Sequence, residues 1–377
     1  MPRIRSHRIS PRLNGSQGLR SARMSQSIVI PAIVGTVCTC AIAGAQQETT
    51  RDRLQGWIDA LPTLRAALVE PARRNGLHDA EAMIVRWLKE MGYAPALEPI
   101  AWKPSDLRSV PDGKAPVVSR SDDGGMKVRL VDDPHPDQWN NIIVELPGKT
   151  HPDEVVIVGA HYDAVPTTPG ADDNASGVAG ALEIARALAH MHLDRTVRIV
   201  FFNLEEVGLN GSRQHAKAVK ARIDAGKERV VGMLSLEMIG YYTDAPNSQR
   251  LPFPEIPGVF ENPPTVGDFL AIVANQGSAS LAHEVADAIH DASPALKTFV
   301  IDFIPGTGFT MPDTRRSDHA PYWDRNIASL LITDTSEFRT PNYHKPSDTR
   351  TTLDLRRMTL AVDGLVAAVK RLATTGQ

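Results

Sequence analysis

The sequence predicts an α/β fold, and three observations support this class. From Val155 onward, runs of four to eight residues rich in Val, Ile, Leu and Phe recur along the chain. Such runs are typical of strands that are buried on both faces. Segments with the helical spacing of apolar residues separate them, and each run stops at an acidic residue, a histidine or a tight turn. Alternation of this kind predicts a largely parallel sheet covered by helices.

The first 45 residues differ in composition from the rest of the chain. They contain six arginines and no acidic residue, followed by an apolar stretch from Ile28 to Ala45. The stretch ends in Ala43-Gly44-Ala45, a small-x-small pattern typical of signal cleavage. We therefore expect residues 1–45 to be a cleaved signal peptide, with Met24 as an alternative start. A retained membrane anchor is the less favoured interpretation, because the stretch is short for a spanning helix.

Cleavage would change both the charge and the thiol content of the protein. Removing six arginines and no acidic residue from a chain of net charge −3 leaves −9, which disfavours binding to nucleic acid. Both cysteines, Cys38 and Cys40, lie in the predicted signal, so the mature chain would have neither disulfides nor a catalytic thiol. We expect an exported protein, periplasmic or secreted, without stable membrane association after cleavage.

Residues 46–377 are predicted to form a single domain that opens with N-terminal helices within residues 50–92. Helices are expected over Thr50–Leu68, His78–Met91, Ala175–His190, Gly211–Ala221, Leu281–His290 and Leu353–Ala373. Strands are expected over Leu97–Trp102, Lys127–Val131, Asn141–Leu146, Val155–Ala160, Val197–Asn203, Val230–Leu236 and Ala328–Thr333.

Three stretches have little periodicity and are predicted to be loops. Ser105–Gly125 is expected to be a surface loop. The Pro-rich stretch Gly240–Gly277 and the stretch Pro305–Ser317 both follow strand candidates. Irregular segments of this length are often functional, so these two are candidates for the walls of a substrate pocket. Ordinary surface connections are the alternative.

Polar segments follow the strand candidates and are expected to converge at one edge of the sheet. In open α/β sheets, ligands bind outside the carboxyl ends of the parallel strands. The segments are His161-Tyr162-Asp163, Asp172-Asp173, Glu205-Glu206, Glu237 and Tyr343-His344. Their residue types match a centre of two divalent metals, which needs a bridging carboxylate and, for each metal, a histidine and a further carboxylate.

The five metal ligands can be assigned individually. We assign Asp173 as the bridge between the two metals. His344 and Glu206 are assigned to one metal, and His161 and Glu237 to the other.

The neighbouring side chains fit supporting roles. Glu205 remains as the general base for the attacking water. Asp163 is expected to accept the second N–H of the His161 ring and so fix its tautomer. Tyr343 is expected to donate its phenol hydrogen to the developing oxyanion. We expect His319 to have a packing or supporting role, and five further histidines to lie on surface helices: His190, His192, His215, His283 and His290.

These motifs resemble a known family, the secreted bacterial zinc aminopeptidases, which are leucyl aminopeptidase-like metallopeptidases. Their relatives include glutamate carboxypeptidase-like and glutaminyl cyclase-like enzymes. The resemblance covers about Asn140 to Val369 and is carried by Gly159 to Asp163, Gly170 to Gly177, Asn203 to Ser212 and Tyr343-His344. One departure is Glu237, where the family commonly has aspartate.

The resemblance implies a mixed eight-stranded sheet between helices, a zinc exopeptidase-like (phosphorylase/hydrolase-like) architecture. It also implies two Zn²⁺ ions per chain and peptide substrates with a free N-terminus, and it agrees with the roles assigned above. Manganese or cobalt could occupy the same ligands. The expected function is therefore a zinc-dependent aminopeptidase. The alternatives are a glutaminyl-peptide cyclase, a carboxypeptidase on the same fold, and a non-catalytic binding module.

Overall fold

A mixed eight-stranded sheet forms the centre of the protein. The computed structural model describes residues 48–121 and 125–375, so the predicted signal segment 1–45 lies outside the described residues. The strands occur in the order β1-β4-β6-β5-β7-β10-β8-β9 across the sheet. They are β1 (Ala96–Ile100), β4 (Trp139–Leu146), β5 (His151–His161), β6 (Arg195–Phe202), β7 (Arg229–Glu237), β8 (Phe269–Asn275), β9 (Lys297–Ile304) and β10 (Ser329–Thr333).

The four central strands run parallel to one another. β5 pairs in parallel with β6 and β7, and β7 pairs in parallel with β10. β4 is antiparallel to β6, and β8 is antiparallel to β10. The parallel strands therefore end at the same edge of the sheet, which confirms the predicted mixed α/β architecture.

Helices cover both faces of the sheet because residues of the central strands are buried on both sides. Along β5, Val156 and Val158 pack into one core, and Val155 and Ile157 pack into a second core. This alternation follows from the two-residue period of a strand. The helices are α1 (Thr50–Ala60), α2 (Asn75–Glu90), α3 (Gly177–Leu188), α4 (Asn210–Asp224), α5 (Ala279–Ala292), α6 (Ala320–Trp323) and α7 (Leu355–Ala373).

The layers of helices on the two faces of the sheet differ in size. Helices α1, α2, α3, α5 and α7 contribute to the larger core, whereas α4 and α6 cover the opposite face. None of the helices in the described part of the chain is both long and apolar enough to cross a bilayer.

Three predictions about the elements are wrong. The first helix ends at Ala60 rather than Leu68, because Leu61 precedes Pro62 and adopts an extended conformation. The predicted surface loop Ser105–Gly125 contains strand β2 (Lys114–Arg120), which pairs antiparallel with β3 (Met126–Asp132) in a separate two-stranded sheet.

The predicted loop Gly240–Gly277 contains β8 at its end. All seven residues of β8 are buried. The last proline of the preceding stretch is Pro264, and the six apolar residues 269–274 form most of the strand. A 3-10 turn, Gln276–Ser278, then leads into helix α5.

His215 was predicted to lie on the surface, and this is wrong. It is 1% exposed, and its Nδ1 lies 2.6 Å from the Tyr322 hydroxyl. The reason is that α4 turns the side that carries Ala216 and Val219 toward the second core, and His215 lies beside that side. The other four histidines predicted to be exposed are exposed: His190, His192, His283 and His290.

Candidate metal centre

The ends of two neighbouring parallel strands place His161 and Glu237. His161 is the last residue of β5, and Glu237 is the last residue of β7. Both are buried, with 1% and 7% exposure. The His161 Nε2 atom lies 3.2 Å from Glu237 Oε2. The register of the sheet therefore brings together two side chains that are 76 positions apart in the sequence.

The segment that carries Asp173 is held by hydrogen bonds to its backbone. Asp348 accepts the backbone N–H groups of Asp172 and Asp173 on its two carboxylate oxygens, at 2.9 and 3.2 Å. The Asn174 side chain donates to the Leu236 carbonyl at 2.8 Å, one residue before Glu237. These contacts fix the segment against the end of β7 and leave the Asp173 carboxylate to face the histidines.

Asp173 lies between two histidines. Its Oδ1 is 3.3 Å from His161 Nε2, and its Oδ2 is 3.1 Å from His344 Nε2. Glu206 Oε2 lies 3.4 Å from the same nitrogen of His344. The ring nitrogens of the two histidines therefore face opposite oxygens of one carboxylate, and each has a further carboxylate beside it.

These distances fit the donor spacing of a zinc site. Two ligand atoms bound at about 2.0–2.1 Å with tetrahedral angles are roughly 3.3 Å apart. The four N–O distances in the cluster are 3.1, 3.2, 3.3 and 3.4 Å. In addition, His344 Nε2 is buried, and its contacts with Asp173 and Glu206 do not have the geometry of hydrogen bonds. The donor set therefore fits two divalent cations, one at His161 and Glu237 and one at His344 and Glu206, with Asp173 shared.

Asp163 lies behind His161. The His161 Nδ1 atom is 3.4 Å from Asp163 Oδ1 and 3.2 Å from the Asp163 carbonyl oxygen. The Asp163 carboxylate also accepts the backbone N–H groups of Glu205 and Glu206, each at 3.2 Å. Through this second contact, which no motif in the sequence indicates, one aspartate links the end of β5 to the segment after β6.

Glu205 and Glu206 lie on different sides of the cluster although they are adjacent. A Glu205 carboxylate oxygen lies within 4.8 Å of donor atoms of His161 and Glu237, whereas Glu206 groups with Asp173 and His344. Burial raises the pKa of Glu205 well above the value of a free glutamate, although His161 opposes the shift. Burial and the Asp173 charge raise the pKa of Glu206 to about 7. A buried cluster this rich in carboxylates favours bound cations.

Tyr343 lies over His344 and contacts an arginine. The two rings stack with centroids 3.8 Å apart at 21°. Arg316 donates a hydrogen bond to the Tyr343 hydroxyl oxygen at 2.9 Å. Burial and the nearby carboxylates of Asp173 and Glu206 raise the pKa of the phenol. Tyr343 therefore keeps its hydrogen at neutral pH and remains a donor.

A pocket that is partly open to solvent adjoins the carboxylates. Its apolar wall is made of Leu251, Pro252, Phe253, Val273, Ile301, Leu331 and Phe338. Asp313, Thr314 and Arg316 form part of the rim. Both predicted loops, Gly240–Gly277 and Pro305–Ser317, therefore contribute to the pocket.

Sequence reasoning missed several residues that support the cluster. Ser317 donates its hydroxyl hydrogen to Glu237 Oε2 at 2.8 Å. Asp348 fixes the Asp173 segment, as described above. The Ser317-Asp318-His319 motif could have indicated the role of Ser317. No motif indicates the role of Asp348, because its partners are more than 170 positions away in the sequence. His319 is fully buried, with Nε2 2.8 Å from the Thr314 carbonyl oxygen and its ring against Trp323, so its role is packing.

Comparison with known proteins identifies the family. A sequence profile of peptidase family M28 matches residues 141–369, which is more than half of the chain. The chain belongs to peptidase family M28. The match supports a peptide hydrolase and confirms the resemblance of the motifs to metallopeptidases, whereas secretion stays a prediction.

Two relatives are similar to this chain over 60% and 67% of its length. The uncharacterized protein YfbL of Escherichia coli is 38% identical over 241 residues, covering 60% of this chain and 69% of YfbL. The probable lipoprotein aminopeptidase LpqL of Mycobacterium tuberculosis is 30% identical over 67% of this chain. The chain spans about half, 51%, of the length of LpqL.

Solved structures share the M28 fold at low sequence identity. A zinc aminopeptidase from Bacillus subtilis superposes with a TM-score of 0.60 at 16% identity, over 86% of this chain and 95% of that protein. A glutaminyl cyclase from Porphyromonas gingivalis superposes with a TM-score of 0.51 at 17% identity, over 85% and 96%. At these identities the comparison establishes the fold only.

Proposed function

We propose that this protein is an aminopeptidase that uses two zinc ions to release N-terminal residues from peptides. The observation that carries the proposal is the position of Asp173, whose two oxygens lie 3.3 and 3.1 Å from His161 Nε2 and His344 Nε2. Zinc ions held there would supply a Lewis acid for the scissile carbonyl and a water that is nucleophilic near neutral pH.

Residues of this chain orient the ligands before substrate arrives. Asp163, 3.4 Å from His161 Nδ1, favours the tautomer that leaves Nε2 free to bind a cation. Asp348 holds the backbone of the bridge, and Ser317 holds Glu237. Such preorganisation avoids reorientation of the dipoles during the reaction.

Glu205 is the general base in this proposal. Its carboxylate lies within 4.8 Å of donor atoms of His161 and Glu237. With Asp173 shared as the bridge, each ion already has one histidine and two carboxylates without Glu205. It would accept a proton from the attacking water and deliver the proton to the leaving amine, so that it returns to its starting state. Burial raises its pKa above that of a free glutamate, which favours its taking up a proton.

The pocket fits the N-terminal residue of a peptide. The apolar wall around Phe253, Ile301 and Leu331 would contact an apolar side chain. The carboxylate of Glu205 lies on the same pocket, is not assigned as a zinc ligand, and would attract a free ammonium group. Tyr343 would donate its phenol hydrogen to the oxygen that becomes negative.

The test is an assay of purified protein, reconstituted with zinc, on a panel of amino acid anilides. The proposal expects hydrolysis of free-amine leucyl anilide and none of the N-blocked compound. Cyclisation of an N-terminal glutaminyl peptide would favour the cyclase alternative, and cleavage at a free carboxyl end would favour a carboxypeptidase. Absence of all three activities in protein that binds zinc would favour a binding module.

We also propose that the protein is exported and acts outside the cytoplasm. The support is the sequence of residues 1–45, in which six arginines precede an apolar stretch and Ala43-Gly44-Ala45.

A further inference from the structure

Arg65 is a buried arginine that lies next to the metal centre. It is 1% exposed. Its Nε donates to the Tyr162 carbonyl oxygen at 2.9 Å, and its Nη2 donates to that of Gly170 at 2.8 Å. Its Nη1 donates to the carbonyl oxygens of Pro62 and Pro169, at 2.7 and 3.1 Å. Four backbone carbonyls therefore surround one guanidinium.

Three of these carbonyls belong to the loop that connects two metal ligands. Tyr162 follows His161 directly, and Gly170 lies three residues before Asp173. The backbone of Arg65 adds a further contact, because its carbonyl accepts the Ala164 N–H at 2.8 Å. Arg65 thus bonds to the beginning, the interior and the end of the 162–170 loop.

Gly170 is shaped to accept this arginine. Its φ is +66°, a left-handed conformation that favours glycine. A Cβ atom at this position would lie 2.8 Å from Arg65 Nη2 and 2.5 Å from the Asp173 carbonyl oxygen. The guanidinium and the bridge segment therefore approach the same backbone, and only glycine fits between them.

The partners of the guanidinium are unusual for a buried charge. Among the described residues, no carboxylate forms an ion pair with Arg65, since its hydrogen bonds go to backbone carbonyls. The carboxylates near it act only at longer range: they oppose the lowering of its pKa that burial causes, and they form no direct ion pair with it. Planar guanidinium can donate five hydrogen bonds in a fixed arrangement, which makes it suitable for holding several carbonyls at set distances.

We propose that Arg65 is a positioning residue that fixes the 162–170 loop and thereby the separation of His161 and Asp173. The inference rests on the proposed two-zinc function. The residues matched by the family profile begin at 141, so Arg65 lies before them. A residue outside the matched segment would therefore contribute to the geometry of the metal centre.

Charge and geometry make opposite predictions for zinc affinity. A positive charge near the centre repels bound cations, so loss of the charge alone would tighten zinc binding. Loss of the carbonyl contacts would loosen the ligand geometry and weaken zinc binding. Supporting contacts of this kind are typically worth about 10- to 100-fold in metal affinity. The sign of the change therefore separates the two roles.

Arg65→Lys and Arg65→Gln test the proposal, with Arg74→Lys as the matched control. Lysine keeps the charge but cannot reach all four carbonyls. Glutamine removes both the charge and the planar set of N–H donors that the guanidinium provides. Arg74 is also 1% exposed, but it bonds to the Ala67 carbonyl, Asp133 and Asp137, away from the assigned ligands. Zinc dissociation constants are measured by competition with a chromogenic chelator, and thermal unfolding is measured on zinc-free protein.

We expect both Arg65 variants to bind zinc about 10- to 100-fold more weakly, and Arg74→Lys to lose stability with unchanged zinc affinity. If Arg65→Gln does not fold, Arg65→Lys decides alone, because its charge is retained. Unchanged binding in Arg65→Lys, tighter binding in Arg65→Gln, or equal weakening in Arg74→Lys would overturn the inference. A wild-type protein that binds no zinc would overturn the proposed function as well, so the two failures are distinguishable.

Discussion

Ser317 donates a hydrogen bond to Glu237 at 2.8 Å, from Oγ to Oε2. Both residues are buried, and the same Glu237 oxygen lies 3.2 Å from His161 Nε2. The hydroxyl thus holds a side chain that is one methylene longer than the aspartate common in the family. This contact explains how the longer acid can have a defined position at the metal centre.

Replacing Ser317 by alanine is expected to weaken zinc binding at the His161 position about tenfold, because Glu237 loses the partner that orients it. The His344 position should be affected less. A chelator competition that resolves two binding events measures both. Ser278→Ala is the control, since Ser278 is equally buried and bonds to Asn275. Equal losses at the two positions would show that Ser317 acts on the whole fold.

Asp173→Asn is expected to weaken both zinc positions together, because one carboxylate faces both histidines. Elemental analysis of wild-type protein should give two zinc ions per chain, and the variant should lose both under the same dialysis. Retention of one tightly bound zinc in Asp173→Asn would contradict the assignment of Asp173 as the bridge. That result would favour the cyclase alternative.

Glu205→Gln and Glu206→Gln should differ although the residues are neighbours. Glu205→Gln is expected to keep its zinc and lower kcat by roughly 10²- to 10⁴-fold, since it removes the proton acceptor. KM should change little, because the loss affects the transition state more than substrate binding. Glu206→Gln should lose zinc instead. Near wild-type turnover in Glu205→Gln would refute the base assignment, as would equal loss of zinc in both variants.

His319 should make the zinc-free protein less stable in acid. Burial lowers its pKa to about 3, from a usual value near 6.5, so the folded state keeps it neutral. Its contribution is complete above pH 6.5 and is lost as pH falls toward 3, because protons then bind the unfolded chain preferentially. At pH 4.5 the loss is about 3 kcal/mol.

Urea unfolding of His319→Gln at pH 7.5 and pH 4.5 checks this expectation. The variant should be less stable than wild type at pH 7.5, since it loses the contact with Trp323. The difference should shrink at pH 4.5, where the wild type alone has a buried histidine to protonate. A constant difference between the two pH values would mean that His319 titrates normally.

The mature protein is expected to start near Gln46 if residues 1–45 are a signal peptide. N-terminal sequencing of protein exported by a suitable host is the measurement. Denatured mature protein should also fail to react with a thiol reagent, since Cys38 and Cys40 would have been removed. Reactive thiol in the exported form would favour the retained anchor.

The sequence predicted most of what depends on local pattern. The run before His161 was identified as a strand because it is apolar on both faces, and the structure places it at the centre of the sheet. The predicted bounds of α1 and of the loop 240–277 were wrong although the sequence contains local signals for both, namely Pro62 and the apolar residues 269–274.

Contacts between distant segments could not be predicted from local pattern. Asp348 bonds to the backbone of Asp173 from 175 positions away, and Arg65 reaches Gly170 across 105 positions. Neither residue lies in a motif, and their partners are backbone atoms, which are the same at every position. Only the packed fold shows which backbone atoms they reach.

The edge strand β1 has a consequence for how this protein can be divided. β1 pairs with β4 from Ala96 opposite Ile143 to Ile100 opposite Trp139, whereas the region shared with the family begins at residue 141, inside β4. A fragment cut at that boundary would begin within a strand and expose its hydrogen-bonding edge, which invites pairing with other chains. The segment matched by the family profile is therefore shorter than the segment that folds as one domain. A chimera or minimal expression fragment of this peptidase should begin ahead of α1.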